Sequence, residues 1–200
     1  MQSCKKRYEL KILSLFFMKR FLTFFFLIIL FSCNVEDQKS VAQDIDYYQF
    51  QKIDLTKFDI PASIYLPDAS AGIGTSFKPL IEHEVGDYKW KIKAGRYFIL
   101  NIEDYGDFKY LYEEKKKKII SNRVYKTKIL KEEGGILVYQ QTLKEDVGLK
   151  KKNTFHIYSV VKLDDVFYQI MNNEFGNSRK EIDFMFKSIK SIKKTNSKWN

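Results

Sequence analysis

"TFHIYSVVKL" at 154–163 and "VFYQIMNNEF" at 166–175 are two runs rich in β-branched and aromatic residues, and only Asp164-Asp165 separates them. Such runs predict β-strands. Because a two-residue turn joins antiparallel neighbours, they predict an antiparallel pair. Two similar runs precede them, "RVYKTKILKE" at 123–132 and "GILVYQQTL" at 135–143, with turn signals at Gly134-Gly135 and "KEDVGLKKKN". The sequence therefore predicts a four-stranded antiparallel meander.

Three further strands are expected earlier in the chain. "ASIYLP" at 62–67 alternates in hydrophobicity between two bounding prolines. "DYKWKIKAG" at 87–95 sets apolar residues against three lysines, which predicts a half-buried strand with a lysine-covered outer face. "RYFILNIEDYG" at 96–106 has apolar residues on both alternations and is predicted to be central. The residues expected to face the core are Ala62, Ile64, Leu66, Tyr88, Trp90 and Ile92.

Two helices are predicted. The first covers 107–121, "DFKYLYEEKKKKIIS", with Asp107 as its N-cap and with acids early and lysines late, as the helix dipole favours. The second begins at a capping box, "SRKE" at 178–181. Phe184 lies away from its apolar stripe and is expected to face solvent or a partner. The stripes are Phe108, Leu111, Tyr112, Lys115 and Ile119 in the first helix and Ile182, Met185, Phe186, Ile189 and Ile192 in the second.

These elements predict an α+β fold, an antiparallel sheet covered by a mid-chain helix and a C-terminal helix. "ASIYLP", the mid-chain helix, the four-strand run and the ending "IDFMFKSIKSI" together resemble the PsbP-like α/β/α sandwich, over roughly 60–195. That family includes photosystem extrinsic proteins and a Ran-binding protein, and it works mainly by binding partners. The resemblance implies a binding module and supplies no catalytic residues.

The N-terminal region has the pattern of an export signal. "FLTFFFLIILF" at 21–31 is an apolar run of 11 residues, which is too short for a membrane span of about 20 but suits a signal h-region. "MKR" at 18–20 precedes it as a positive n-region, so we expect translation to start at Met18 and residues 1–17 to be a mis-called upstream extension. The alternative is a signal anchor over 8–31, which three basic residues interrupt.

The apolar run ends at "LFSC", Leu30 to Cys33, and the sequence turns polar at Asn34. "LFSC" resembles a bacterial lipobox, although Phe31 is bulkier than the usual residue in that slot. The resemblance implies that the Cys33 thiol receives a diacylglyceryl group and that cleavage precedes Cys33. Several acyl chains, palmitate among them, would then anchor the protein. The alternative is an ordinary cleaved signal with a cysteine there by chance.

The expected organisation is a signal peptide at 18–32, a lipidated tether at 33–44 and a single α+β domain at 45–200. The other cysteine, Cys4, precedes the signal, so the domain has neither a disulfide framework nor a thiol nucleophile. The whole chain has 35 basic and 25 acidic residues. Removing the six and one that precede Asn34 leaves 29 and 24, a net charge of +5. This balance and the export signal argue against nucleic-acid binding.

No catalytic or cofactor motif is evident. His83 lies between two glutamates and is interpreted as a solvated loop residue, while His156 is expected on the exposed face of its strand; metal binding by the two is disfavoured because their spacing fits no metal motif. An oxygen-rich loop could bind Ca²⁺, although it lacks EF-hand periodicity. Its acids are Glu103, Asp104 and Asp107.

Three other short motifs have ordinary explanations. "GIG" at 72–74 is followed by no lysine at P-loop spacing. "KKKK" at 115–118 and "KKK" at 150–152 could contact anionic lipid, but such runs are more often a solvated helix end and a solvated turn. We therefore expect no catalytic residues, cofactor or metal.

The expected protein is a lipid-anchored module of the bacterial cell envelope, in the outer membrane, that binds or assembles with an envelope protein. The alternative is an envelope hydrolase whose active site is dispersed and carries no motif. An enzyme would show a deep pocket with converging polar groups. A binding module would show an apolar patch or an exposed sheet edge.

Overall fold

The computed structural model describes residues 47–84, 86–144 and 153–195, which belong to one compact unit. This part of the chain contains ten strands, two α-helices and two short 3-10 turns. The strands are β1 (Phe50–Asp54), β2 (Ala62–Pro67), β3 (Thr75–His83), β4 (Lys89–Gly95), β5 (Ile99–Asp104), β6 (Tyr125–Glu133), β7 (Ile136–Leu143), β8 (Thr154–Leu163), β9 (Val166–Asn172) and β10 (Lys193–Lys194). The helices are α1 (Leu111–Ile120) and α2 (Arg179–Lys190), and the 3-10 turns are Thr56–Phe58 and Ala69–Ala71.

The strands form two sheets. The larger has seven strands in the order β3-β4-β5-β9-β8-β7-β6, and every neighbouring pair is antiparallel. The smaller has the order β1-β2-β10. The fold is therefore α+β, mostly antiparallel sheet with two helices. The predicted meander is confirmed as β6 to β9, and the predicted central position of β5 is also confirmed.

β1, β3 and β10 were not predicted, because none of them has a clear strand pattern in its sequence. β3 contains Pro79, and its pairing with β4 shifts register between Thr75 and Leu80, so no clean alternation survives. β1 has five residues and β10 only two. Strands this short give too few positions to show a period.

One apolar core lies between the seven-stranded sheet, the smaller sheet and α2. The three predicted core residues of β2 are buried, and so are Trp90 and Ile92 of β4, whereas Tyr88 precedes β4 and is exposed. α2 packs against β2, β7 and β8, which fixes it on one face of the large sheet. Its capping box is present, because Ser178 Oγ accepts from the Glu181 N–H and Glu181 Oε2 accepts from the Ser178 N–H.

The prediction for the α2 stripe is confirmed, but the one for Phe184 is wrong. Ile182, Met185 and Ile189 are buried as predicted, and Phe184 and Phe186 are equally exposed, at 9%. The Phe184 ring contacts the ring of Phe50 in β1, with centroids 5.5 Å apart. The smaller sheet thus covers a second side of α2, and β1, which does so, has no clear signal in the sequence.

The mid-chain helix is present but shorter than predicted, and Asp107 is not its N-cap. The N-cap is Tyr110, which makes no side-chain cap hydrogen bond. The chain turns before it, because Gly106 has φ of +60° and donates its N–H to Asp104 Oδ1 at 2.7 Å. Turn hydrogen bonds follow, from the Phe108 N–H to the Tyr105 carbonyl oxygen and from the Leu111 N–H to the Phe108 carbonyl oxygen, so α1 begins only at Leu111. Leu111 is buried, while Phe108 lies in the turn and is 37% exposed.

Candidate functional site

The second face of the large sheet is only half covered. α1 packs over β6 and β8, where Tyr112 and Ile119 contact Leu137, Tyr139 and Tyr158. The neighbouring half, formed by β3, β4, β5 and β9, has no helix over it in the described part of the chain. We call this surface the open half-face. Its strand residues, by register, are Leu80, Glu82, Lys89, Lys91, Lys93, Ile99, Asn101, Glu103, Met171 and Gln169, the last of which is buried.

A depression of about 750 Å³ lies on the open half-face. The three lysines of β4 confirm the predicted lysine-covered outer face. Lys93 pairs with Glu82, and Lys89 Nζ lies 3.9 Å from a Glu103 oxygen. Among the described residues, Lys91 makes no ion pair. The remaining acids at the rim are Glu84, Asp87 and Glu174. The surface therefore presents alternating charges, which suit a polar protein partner better than a simple anion or cation.

A second cavity of about 570 Å³ adjoins the first, and the two share Ile99 and Asn173 in their walls. Two exposed aromatic side chains, Tyr97 and Phe175, line it, and the Arg96 guanidinium lies 5.3 Å from the Tyr97 ring centroid. Exposed aromatic residues beside a guanidinium are typical of protein interfaces. Phe175 was not singled out from the sequence, and its only signal is its position in an asparagine-rich turn.

Glu103 is the most connected polar group of the open half-face. Its Oε2 accepts from Gln169 Nε2 and from the Tyr105 hydroxyl, each at 3.1 Å. Burial, with the Glu103 hydrogen bond as a further cause, raises the pKa of Tyr105. Asp104 follows Glu103 on the strand and therefore faces the other way. The oxygen-rich loop thus does not converge on one point, and the described residues contain no group of three or more potential metal ligands.

His83 is not a solvated loop residue. It ends β3, and its ring stacks on Trp90 with centroids 4.7 Å apart. Its Nδ1 lies 3.1 Å from the Lys89 carbonyl oxygen, and only 9% of its side chain is exposed. Trp90 donates its indole N–H to the Phe58 carbonyl oxygen. His83 therefore covers a core tryptophan at the edge of the sheet.

His156 was expected on an exposed face, and this prediction is wrong because both faces of β8 are covered. The ring stacks on Tyr139 with centroids 5.2 Å apart, and its Nε2 lies 2.9 Å from Thr154 Oγ1. Burial lowers the pKa of His156 to about 4. Burial also raises the pKa of Tyr139 to about 12. Alternation in the sequence assigned His156 to the second face but did not show that this face is packed.

The two histidines cannot share a ligand. β3 and β8 are four strand spacings apart in the sheet, or about 19 Å at roughly 4.8 Å each. His83 pairs with Trp90 on the α2 face, whereas His156 pairs with Tyr139 on the α1 face. A metal site or an acid–base pair built from both is excluded by this separation.

Neither edge strand of the large sheet, β3 or β6, is suited to pairing with a further strand. β3 carries a register shift and Pro79, and β6 carries a register shift beside Lys131 as well as Lys126 and Lys128. Bulges, prolines and lysines are the devices that prevent edge pairing. Binding through a face is therefore better supported than binding through an edge.

The sequence motif at Cys33 and the lysine run at 150–152 lie outside the described residues. Of the first lysine run, Lys116 pairs with Glu132 and Lys115 lies over the Tyr105 ring, while Lys117 and Lys118 are exposed. Across the described ranges, no helix is long and apolar enough to cross a membrane.

Comparison with known proteins adds no assignment: neither a protein-family model nor a curated protein matches this chain.

Proposed function

We propose that this protein is a lipid-anchored accessory module of the bacterial cell envelope that binds a partner protein through its open half-face. The observation that carries the binding role is the uncovered half of the large sheet. A sheet face left without a helix, beside a cavity with exposed aromatic residues, is surface that a partner can bury. The lipobox-like sequence at Cys33 supports the anchor, and the outer membrane is the expected location.

We also propose that the fold is the PsbP-like sandwich. β2, α1, the β6 to β9 meander and α2 follow one another as the resemblance to the PsbP-like sandwich requires. That family's mode of action, binding to a partner, agrees with a site of paired charges and exposed rings. The rival hydrolase has no specific support in the geometry, because the two histidines are far apart and each packs against an aromatic ring.

The anchor is tested by metabolic labelling with palmitate. Wild type should incorporate label and appear in the membrane fraction. Cys33→Ala should incorporate none, and it should accumulate as precursor or as a misprocessed form, because thioether formation requires the thiol. Unchanged labelling of Cys33→Ala would contradict the anchor.

The binding face is tested by affinity capture from detergent-solubilised envelope. Lys91→Glu combined with Asn101→Ala alters two neighbouring side chains of the open half-face, which pair across β4 and β5. Lys57→Glu makes the same charge change at an exposed lysine in a 3-10 turn and serves as the control. A protein captured by wild type and by the control, but lost with the double variant, supports the proposal. Equal capture by all three places the partner elsewhere.

A further inference from the structure

Four apolar side chains are exposed where α1 ends and β6 begins. Ile120 is 50% exposed, Val124 56%, Tyr125 38% and Ile129 40%. Tyr125 and Ile129 share one face of β6, beside the end of the helix. We call this surface the α1–β6 corner. The four residues come from a stretch of ten, in which the Thr127 hydroxyl donates to the Ile119 carbonyl oxygen and so holds the start of β6 against the end of α1.

Hydrogen bonds hold the corner in place. Asn122 Oδ1 accepts from the N–H groups of Val124 and Tyr125, each at 2.9 Å. The Lys144 N–H donates to the Val124 carbonyl oxygen at 3.0 Å, and Lys144 Nζ donates to the Asn122 carbonyl oxygen at 2.7 Å. Thr127 Oγ1 donates to the Ile119 carbonyl oxygen at 2.9 Å, which ties strand to helix. The patch is therefore preformed and requires little ordering to bind.

Basic residues flank the corner, with Lys117 and Lys118 near the end of α1 and Lys126 and Lys128 on the other face of the edge strand β6, and the chain has no acidic residue at 115–131 or 136–144. The nearest acids along β6 are already neutralised. Glu132 accepts from Lys116 and Tyr112, and the ammonium groups of Lys131 and then Lys190 lower the pKa of Glu133 to about 2. Throughout the described ranges, the following basic residues make no ion pair: Lys117, Lys118, Arg123, Lys126 and Lys128.

We infer that the α1–β6 corner docks on an anionic lipid surface. Lysines at the rim would contact headgroup phosphates, while isoleucine, valine and tyrosine side chains enter the interfacial layer. Nucleic acid offers the phosphates but no apolar layer for Ile120 and Val124. This inference rests on the proposed anchor for proximity, because the 13 residues between Cys33 and Tyr47 span at most about 45 Å.

The test uses full-length protein on vesicles with Val124→Trp as a reporter, measured as the difference from wild type. Vesicles contain brominated phosphatidylcholine, alone or mixed with phosphatidylglycerol, and bromine quenches a tryptophan that enters the lipid. Asp165→Trp is the control, because Asp165 is fully exposed in the turn that joins β8 to β9. Melting of both variants should match wild type, since both positions are at the surface.

Quenching at position 124 should exceed that at position 165 by at least about threefold in anionic vesicles. It should fall in neutral vesicles and at high salt, since about 1 M salt screens charges beyond roughly 3 Å. Lys117→Glu, Lys126→Glu and Lys128→Glu together should reduce it in the same way. Equal quenching at the two positions, or quenching at 124 that ignores lipid charge, would overturn the inference.

The outcomes separate the corner from the anchor. In one outcome, the protein stays on vesicles at high salt, but the reporter at position 124 is unquenched in every vesicle and salt condition. Such a protein keeps its anchor but does not dock through the corner. Protein that high salt releases, and that carries no palmitate, lacks the anchor; salt-sensitive quenching of the same reporter would then still support the corner. In another outcome, the triple lysine variant loses vesicle binding, but the Val124→Trp protein shows no quenching. This result would indicate a purely ionic contact and would contradict the claim that apolar side chains enter the lipid.

Discussion

The two helices lie on opposite faces of the same sheet and differ in how many residues they bury and in how they begin. α2 buries six residues between the two sheets, and a capping box fixes its start. α1 buries only Leu111, lacks a side-chain cap and carries four consecutive lysines. One helix closes the core, and the other shields half of a face. The contrast indicates that stability resides mainly on the α2 side.

The packing under each helix differs in the same way. The core beneath α2 is built mainly from aliphatic side chains, whereas the cluster beneath α1 centres on Leu137, Tyr139 and Tyr158. Tyr139 also stacks on His156, and Tyr112 stacks on Tyr158 with centroids 5.9 Å apart. Aromatic residues with polar tips tolerate partial exposure, which a half-covered face requires.

The largest predicted effect is a loss of stability from substitutions on the α2 side. Phe186→Ala should lower the free energy of unfolding by about 3–5 kcal/mol, the range for truncating a buried aromatic residue. Phe184→Ala should cost a similar amount, because it is equally buried and contacts Phe50. Ile119→Ala, at a partly buried position of α1, should cost less than half as much. Denaturant melts of the three variants provide the measurement.

Two results of those melts would contradict the comparison. A small loss at Phe184 beside a large loss at Phe186 would show that the smaller sheet does not cover α2. A loss at Ile119 as large as that at Phe186 would show that α1 closes a core of its own.

The second prediction concerns pH and the α1 side. Burial lowers the pKa of His156 from 6.5 to about 4, so between these values the unfolded chain binds a proton that the folded chain does not. This contribution to stability is complete above about pH 6.5 and declines as pH falls toward 4, by up to about 3 kcal/mol. Below pH 4 both states are protonated and the decline ends.

The measurement is the unfolding free energy of wild type and His156→Gln from pH 4 to 7. Carboxylates also titrate in this window, and subtracting the variant removes their common contribution. The difference between the two proteins should shrink toward low pH. A difference that stays constant with pH would show that His156 is accessible to protons in the folded state.

The antiparallel core of the fold could be predicted from sequence because its signals are local. β2 and β8 have the predicted bounds, and the α2 start follows from residues three positions apart. β3 could not be predicted, since Pro79 and a register shift remove its alternation. The burial of Phe184 depends on Phe50, which is 134 positions away, and no local pattern contains that contact.

The candidate site was harder to predict than the fold. The lysine-covered face of β4 was predicted, because alternation decides it. Its uncovered state depends on where α1 packs, and the periodicity of α1 does not specify which strands it covers. Both histidines were assigned to exposed positions because sequence patterns do not show which aromatic ring, Trp90 or Tyr139, will stack on each of them.

The smallest predicted effect sharpens the contrast between the two helix starts. Ser178→Ala removes the acceptor for the Glu181 N–H and should cost about 1 kcal/mol. Tyr110→Ser puts a capping residue at the start of α1, yet it should gain less than about 0.5 kcal/mol. Ser178 has ψ of 159°, which aims its hydroxyl at the first turn, whereas Tyr110 has ψ of 4°. Paired denaturant melts compare the two, and a gain at position 110 equal to the loss at 178 would show that residue type decides capping at α1, not backbone geometry.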